Sequence, residues 1–98
     1  MSEEEIIKNL EGQGYSPVYI WNAKPNEDDP EHEHEFDTKL HVLDGSIRIK
    51  VLSGNRIDDY KLVVGSELEI VRGRRHSAIV GAEGCKYIVA ERRFGRRK

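Results

Sequence analysis

Apolar positions recur along the chain with two periodicities, and the first is that of a helix. One apolar stripe at helical spacing comprises Ile6, Ile7 and Leu10. Ser2 and Glu5, at the start of this stripe, stand at the spacing of a capping box. The pattern therefore predicts a short helix over residues 2–10, ended by Gly12.

The second periodicity is an alternation of apolar and polar residues, which is typical of strands with one buried face. Turn-forming residues divide it into short runs, and an acidic stretch over residues 25–30 is predicted to be a turn. The predicted strands cover residues 18–21, 39–43, 46–52, 60–64, 68–71, 76–80 and 86–90. Many short strands with closely spaced turns favour a closed or double-sheet all-β architecture.

Asp44-Gly45 predicts a two-residue turn, and the register of the resulting hairpin assigns two faces to its strands. The apolar face comprises Leu40, Val42, Ile47, Ile49 and Val51, and Thr38 falls on the same side. The opposite face comprises Lys39, His41, Arg48 and Lys50. His41 is therefore excluded from the candidate site. By the same alternation, His76 shares a face with Ala78 and Val80.

Composition indicates a single small domain. The chain has 98 residues, of which 37% are hydrophobic and 35% charged, and its mean hydropathy is -0.68. A chain this short with a polar pocket has little core to spare, so we expect a homodimer. No apolar run approaches a membrane span, the N-terminus is acidic, and the single cysteine, Cys85, permits no internal disulfide. We expect a cytoplasmic protein without a membrane partner.

The net charge of -2 is unevenly distributed. Acidic residues surround the first two histidines, whereas the C-terminal segment collects Arg92, Arg93, Arg96, Arg97 and Lys98. A basic tail can attract nucleic acid or membranes, but it is more often a solvated, partly frayed end. The chain is net acidic and lacks basic residues interleaved with aromatic ones elsewhere, so we expect no nucleic-acid partner.

Three of the four histidines are candidate metal ligands. His32 and His34 are two residues apart, and the side chains of such a pair project together from a strand. His76 is expected on the same interior face. Imidazole binds divalent Zn, Fe, Cu, Ni and Co, and three neutral imidazoles leave positions open for water or substrate. The expected cofactor is a divalent transition metal, one of Fe, Mn, Ni, Cu or Zn. Acidic loops containing such a pair are often simply solvated, so the pair alone is weak evidence.

The arrangement of these histidines and the surrounding glycines resembles the cupin superfamily. A first cupin-like motif comprises His32-Glu33-His34, Glu35-Phe36-Asp37-Thr38 and Val42-Leu43-Asp44-Gly45. A second comprises Gly65, Val71-Arg72-Gly73 and His76. The resemblance covers roughly residues 18–92. It implies a double-stranded β-helix, or jelly-roll barrel, with a short N-terminal helix. We divide the chain into a helix and linker (1–14), a barrel (15–92) and a basic tail (93–98).

The sequence departs from the cupin pattern where the family carries a metal-binding glutamate. Thr38 occupies that position, and Asp37 lies one residue earlier. Val71 replaces a proline, and Val80 replaces an asparagine. The resemblance therefore implies three histidine ligands, with Asp37 or Thr38 as a fourth ligand or near neighbour. Some cupin dioxygenases that act on thiols resemble this three-histidine pattern.

Three functions are consistent with this sequence. The first is a metal-dependent enzyme of dioxygenase or isomerase type that acts on a small molecule, although the pattern places no further interior carboxylate, histidine or tyrosine as a base. The second is a non-catalytic small-molecule or metal-binding cupin, such as a sensor. The third is a structural dimer whose histidines are relics.

Overall fold

The computed structural model describes residues 1–93 and has the architecture of a jelly-roll β-barrel with one short helix. The elements are α1 (Glu3–Gly12), β1 (Val18–Ala23), β2 (Asp28–His32), β3 (Asp37–Ser53), β4 (Arg56–Leu62), β5 (Glu67–Ile70) and β6 (His76–Arg92). The predicted all-β class and barrel are confirmed.

The N-terminal helix forms as the sequence predicts, and it covers the outside of the barrel wall. The Ser2 hydroxyl accepts a hydrogen bond from the Glu5 backbone, and the Glu5 carboxylate accepts one from the Ser2 backbone, which completes the capping box. The apolar stripe packs on outward-facing strand residues in a small cluster that includes Ile6, Leu10, Tyr15, Ile88 and Ala90. This packing buries the helix face that would otherwise be exposed to water.

Two long strands, β3 and β6, form the frame of the barrel. They pair antiparallel along most of their length, from Asp37 opposite Arg92 to Val51 opposite His76. The first half of β6 also pairs with β2, and its second half pairs with β1. The first half of β3 likewise pairs with β5, and its second half with β4. Each long strand therefore contributes to both ends of the barrel.

The predicted hairpin at Asp44-Gly45 is wrong, because β3 runs through these residues without reversing. Gly45 instead lies against Gly84 of β6, and both have positive φ angles, 77° and 82°. A Cβ atom on Gly45 would lie 2.0 Å from the Gly84 carbonyl oxygen. At this close approach β3 and β6 bend together. The predicted turn would instead have divided β3 into two separate strands. The 81–84 segment, expected to separate two strands, is likewise part of β6.

The predicted apolar face is nevertheless correct. Leu40, Val42, Ile47, Ile49 and Val51 are all buried in the core. The register of β3 against β6 shifts between residues 42 and 47, so even-numbered residues face inward before the bend and odd-numbered ones after it. A hairpin turn would have produced the same change of parity. His41 points away from the cavity, and its Nδ1 lies 2.8 Å from Glu67 Oε2.

Strand β2 was not predicted, because four of its five residues are acidic or proline, which are uncommon in strands. It pairs with β6 through Asp28 opposite Ile79, Asp29 opposite Ala78 and His32 opposite His76. The register shifts between Asp29 and His32, where Pro30 has no N–H to donate to the ladder. Tertiary pairing therefore overrides local propensity in this segment.

The C-terminal end of β6 is fixed by ion pairs. Arg92 lies 3.1 Å from Glu69 and 3.5 Å from Asp37, and its guanidinium stacks 4.5 Å from the centre of the Tyr15 ring. Arg93 pairs with Glu91. The remaining basic residues of the predicted tail, Arg96, Arg97 and Lys98, lie outside the described residues. Within residues 1–93, no helix combines the length and the apolar character needed to cross a bilayer.

We predict that Gly45→Ala destabilises the fold by about 3 kcal/mol or more, because it combines an unfavourable φ with a backbone clash. The matched control is Gly54→Ala. Gly54 also has a positive φ, 62°, but nothing lies within 4 Å of its added Cβ, so we expect a loss of only about 1–2 kcal/mol. Urea denaturation followed by circular dichroism measures both, and equal losses would contradict the proposed role of the Gly45–Gly84 contact.

Candidate metal centre

The three predicted histidines meet at one end of the barrel. His32 ends β2, His34 follows it outside the strand, and His76 begins β6 directly opposite His32. The ring centres lie 4.2 Å apart for His32 and His76, 4.9 Å for His32 and His34, and 5.3 Å for His34 and His76. One ligand nitrogen from each ring lies within 4.8 Å of the other two. The rings therefore converge, although His34 does so from a loop and not from a strand.

Backbone carbonyls hold two of the three rings. His32 Nδ1 is 2.7 Å from the Pro30 carbonyl oxygen, and His76 Nδ1 is 3.0 Å from that of Arg74. A carbonyl can only accept, so each Nδ1 must carry the proton and donate it. In the neutral ring this leaves the lone pair on Nε2, which is the atom available to a metal.

His34 is held by stacking. Its ring lies nearly parallel to that of Phe36, with an interplanar angle of 15° and ring centres 4.8 Å apart. The Arg93 guanidinium lies 4.2 Å from the centre of the Phe36 ring. Phe36 thus contacts both a cation and an imidazole, and its stacking limits the rotation of His34.

Two contacts join the loops that carry the histidines. The Gly73 N–H donates to the His34 carbonyl over 2.8 Å, which ties the turn before His76 to the first loop. The Arg75 guanidinium lies 3.2 Å from Glu31 and 3.3 Å from Glu33. These glutamates alternate with His32 and His34, so the salt bridges hold the acidic side chains on the outer side of the loop.

Burial favours the uncharged form of His34 and of His76, because it lowers the pKa of both. Desolvation lowers the pKa of His34, and the neighbouring His32 contributes in the same direction. Desolvation also lowers the pKa of His76, against the opposing effect of its bond to the Arg74 carbonyl. Asp29 acts on both rings in the opposite sense and raises their pKa, so its carboxylate lies near the site. Neutral imidazoles are the form that binds metal.

The three rings open onto a cavity of about 490 Å³ inside the barrel. Eight of the seventeen residues in its walls are aliphatic, and Tyr19, Trp21 and Tyr87 add aromatic surface. Thr38 lies in the wall, and its Oγ1 is buried without a hydrogen-bond partner among residues 1–93. A buried hydroxyl in this state is costly, which indicates a position suited to a polar ligand atom.

Asp37 is not among the residues that line the cavity. Its buried carboxylate accepts a hydrogen bond from the Arg72 backbone over 2.9 Å and pairs with Arg92. The sequence left both Asp37 and Thr38 as candidates for a fourth ligand or near neighbour. The structure places Thr38 in the cavity wall and Asp37 in a contact between β3 and the turn that follows β5.

The sequence pattern placed no further carboxylate or tyrosine in the interior as a base, but the structure brings four such side chains to the cavity. Asp29 and Glu27 line the cavity, as do Tyr19 and Tyr87. Tyr87 shares the cavity face with Val89, since residues two apart in a strand share a face. Alternation gave no signal for Asp29, because its strand was not predicted.

Neither a protein-family model nor a curated protein sequence matches this chain. Solved structures do. The Drosophila melanogaster CENP-C cupin domain is 20% identical over 78% of this chain and 60% of that chain, with a TM-score of 0.70. This chain folds as a small cupin domain. Drosophila CENP-C bound to CAL1 gives a TM-score of 0.71 at 20% identity, over 78% of this chain and 64% of that one.

A second kind of cupin is equally similar in fold. Bacillus subtilis oxalate decarboxylase, studied for its Mn(II) centres, gives a TM-score of 0.72 at 16% identity, over 93% of this chain and 24% of that one. This chain spans less than two thirds of the length of each of the three. The cupin fold is therefore shared by a protein described with metal centres and by one described with a protein partner.

We predict that Thr38→Val raises the free energy of unfolding of the metal-free protein by about 1 kcal/mol or more, because it removes a buried, unpartnered hydroxyl. Thr38→Ser retains the hydroxyl and is the control; it should be no more stable than the wild type. Thermal unfolding after treatment with a chelator measures both variants. A Thr38→Val protein that is less stable than the wild type would contradict this interpretation of the cavity wall.

Proposed function

We propose that this cupin binds one divalent transition-metal ion through His32, His34 and His76 and presents it to a small molecule in the barrel cavity. The observation that carries the proposal is the convergence of three ligand nitrogens within 4.8 Å of one another at the end of a cavity. Structural ion sites usually have a closed donor set, whereas three imidazoles leave coordination positions open.

The chemistry of the donors supports a transition metal. All three are imidazoles, which suit Fe, Ni, Cu and Zn, and Mn also accepts them when oxygen donors complete the sphere. The bonds from His32 and His76 to backbone carbonyls direct Nε2 towards the shared space, as the outer partners of metal-bound histidines do. The buried Cys85 is not a member of the cluster.

A bound ion would act as a Lewis acid towards an oxygen or sulfur atom of the ligand. The protein contributes the remaining recognition. The aliphatic part of the wall offers apolar contacts, and the Thr38 hydroxyl can donate to or accept from a polar ligand atom. Burial raises the pKa of Tyr87 to about 12, so this phenol keeps its proton at neutral pH and can donate a hydrogen bond. These features suit a metal-dependent reaction of dioxygenase or isomerase type on a small molecule.

Non-catalytic binding is the second candidate, and one observation favours it. Glu91, a buried carboxylate close enough to influence His34, already has both oxygens engaged. Oε2 accepts from the Tyr19 hydroxyl over 2.9 Å, and Oε1 accepts from Arg93 over 2.6 Å. It is therefore not free to act as a general base. Asp29 and Glu27 line the cavity, so this observation removes one carboxylate from consideration and not all of them. A sensor or storage role requires no base.

We predict that His76→Ala abolishes stoichiometric metal binding, because it removes one of three ligands. The control is His41→Ala, which removes a histidine paired with Glu67 outside the cavity and should retain the metal content of the wild type. Elemental analysis of protein purified without a histidine tag, after exposure to Fe, Mn, Ni, Cu and Zn in turn, measures all three proteins. A wild type that retains none of these ions would refute the proposed function.

A measurement of catalytic turnover distinguishes the metal-dependent enzyme from the non-catalytic binding protein. Oxygen consumption and product formation should be measured for metal-loaded protein against a panel of thiols, diketones and sugars. Activity that disappears in His76→Ala and persists in His41→Ala supports the enzyme. Ligand binding without turnover across the panel supports the sensor or binding role.

A further inference from the structure

Asp29 lies at the metal end of the cavity, on the strand that the sequence did not reveal. It pairs with Ala78 across β2 and β6, and Ala78 is buried and lines the cavity. Cross-strand partners share a face, so Asp29 is directed to the interior side of β2, in agreement with its place in the cavity lining. Its neighbour Asp28 is opposite the exposed Ile79, on the outer side.

The Asp29 carboxylate faces the metal-binding side of a histidine. Asp29 Oδ2 is 3.9 Å from His32 Nε2, the nitrogen that carries the lone pair because Nδ1 donates to Pro30. Two donors that share one ion at about 2.1 Å each are about 3.0 Å apart at a right angle and about 4.2 Å apart when opposed. The distance between Oδ2 and Nε2 falls inside this interval. Asp29 is not in the group of ligand atoms that all lie within 4.8 Å of one another, so its carboxylate must move towards His34 and His76 to share their ion.

We propose that Asp29 is a fourth protein ligand of this site and supplies the carboxylate that the chain lacks at Thr38. This proposal rests on the metal-binding function proposed above. The carboxylate would then reach the ion from three residues before His32, on β2, and not from β3 as in the cupin motif.

Two other carboxylates near the site are committed elsewhere, and a third is engaged at one of its oxygens. Asp37 is bound by the Arg72 backbone and Arg92, and Glu91 by Tyr19 and Arg93. One oxygen of Glu27 accepts a hydrogen bond from the Lys24 backbone. The Asp29 side chain is 60% exposed, so it can change rotamer at small cost and close on an ion that the histidines already hold.

A carboxylate ligand makes a specific difference to metal preference. It is a hard, anionic oxygen donor, so it favours Mn²⁺ and Fe²⁺ more than it favours ions that bind imidazole strongly, such as Ni²⁺ and Cu²⁺. A carboxylate that acts only through its charge would attract every divalent ion to a similar extent. Metal preference therefore distinguishes ligation from a general electrostatic effect.

The test compares Asp29→Asn with Asp28→Asn by isothermal titration with Mn²⁺ and with Ni²⁺. The two variants lose the same charge from adjacent residues of one strand. We expect Asp29→Asn to lose about tenfold or more in Mn²⁺ affinity and clearly less in Ni²⁺ affinity, whereas Asp28→Asn changes both little and to the same extent. The electron paramagnetic resonance spectrum of the Cu²⁺-loaded protein should change in Asp29→Asn and not in Asp28→Asn.

Each other outcome overturns the proposal. If Asp29→Asn binds both ions as the wild type does, Asp29 is only a neighbour of His32, and the three-histidine site stands without it. Equal losses for Mn²⁺ and Ni²⁺, matched by Asp28→Asn, would leave only a charge effect. A selective loss of Mn²⁺ affinity in Asp37→Asn would instead identify Asp37 as the carboxylate ligand. Asp37 is adjacent to Thr38, which occupies the position of the cupin glutamate. A wild type that binds neither ion refutes the three-histidine site as well. Thermal unfolding of each variant checks that the fold is retained, and Asp29→Ala provides a second substitution.

Discussion

The contact between Gly45 and Gly84 is the constraint on which the rest of the barrel depends. It lets the two long strands approach so closely that no side chain fits between them, and both backbones bend there. In β3 this bend is also where the inward-facing residues change from even to odd numbers. Thr38 and Leu40 on one side, and Ile47 and Ile49 on the other, thus line one continuous cavity. A straight strand with unbroken alternation would have turned half of this wall outward.

The histidine site depends on a second set of contacts, between two loops that are far apart in sequence. The hydrogen bond from Gly73 to the His34 carbonyl and the salt bridges of Arg75 fix the first loop against the second. Backbone pairing of β2 with β6 brings His32 opposite His76. None of these contacts uses an imidazole nitrogen that a metal would need. Site assembly and metal binding therefore draw on different atoms of the same segments.

Local sequence signals were sufficient for the class, the helix and the facing of most strands, and the cupin resemblance supplied the barrel. They failed where long-range pairing decides the outcome. Asp44-Gly45 has the composition of a hairpin turn, and only the opposing glycine on β6 shows that the chain continues. The segment Asp28–His32 has poor strand propensity and forms a strand because β6 offers an edge. The interior position of Asp29 follows from that pairing, so no local pattern could have revealed it. The homodimer and the cytoplasmic location stay predictions.

The carbonyl bonds to His32 and His76 have a consequence for the choice among metals. These bonds set the tautomer and rotamer of two rings when the chain folds. The side-chain conformational entropy of His32 and His76 is therefore lost during folding and not during metal binding. A site prepared in this way loses little affinity to reorganisation. Discrimination among ions then depends on donor chemistry and on which ion is abundant. A protein of this kind would acquire its metal after folding, and the same chain could carry different ions under different conditions of supply.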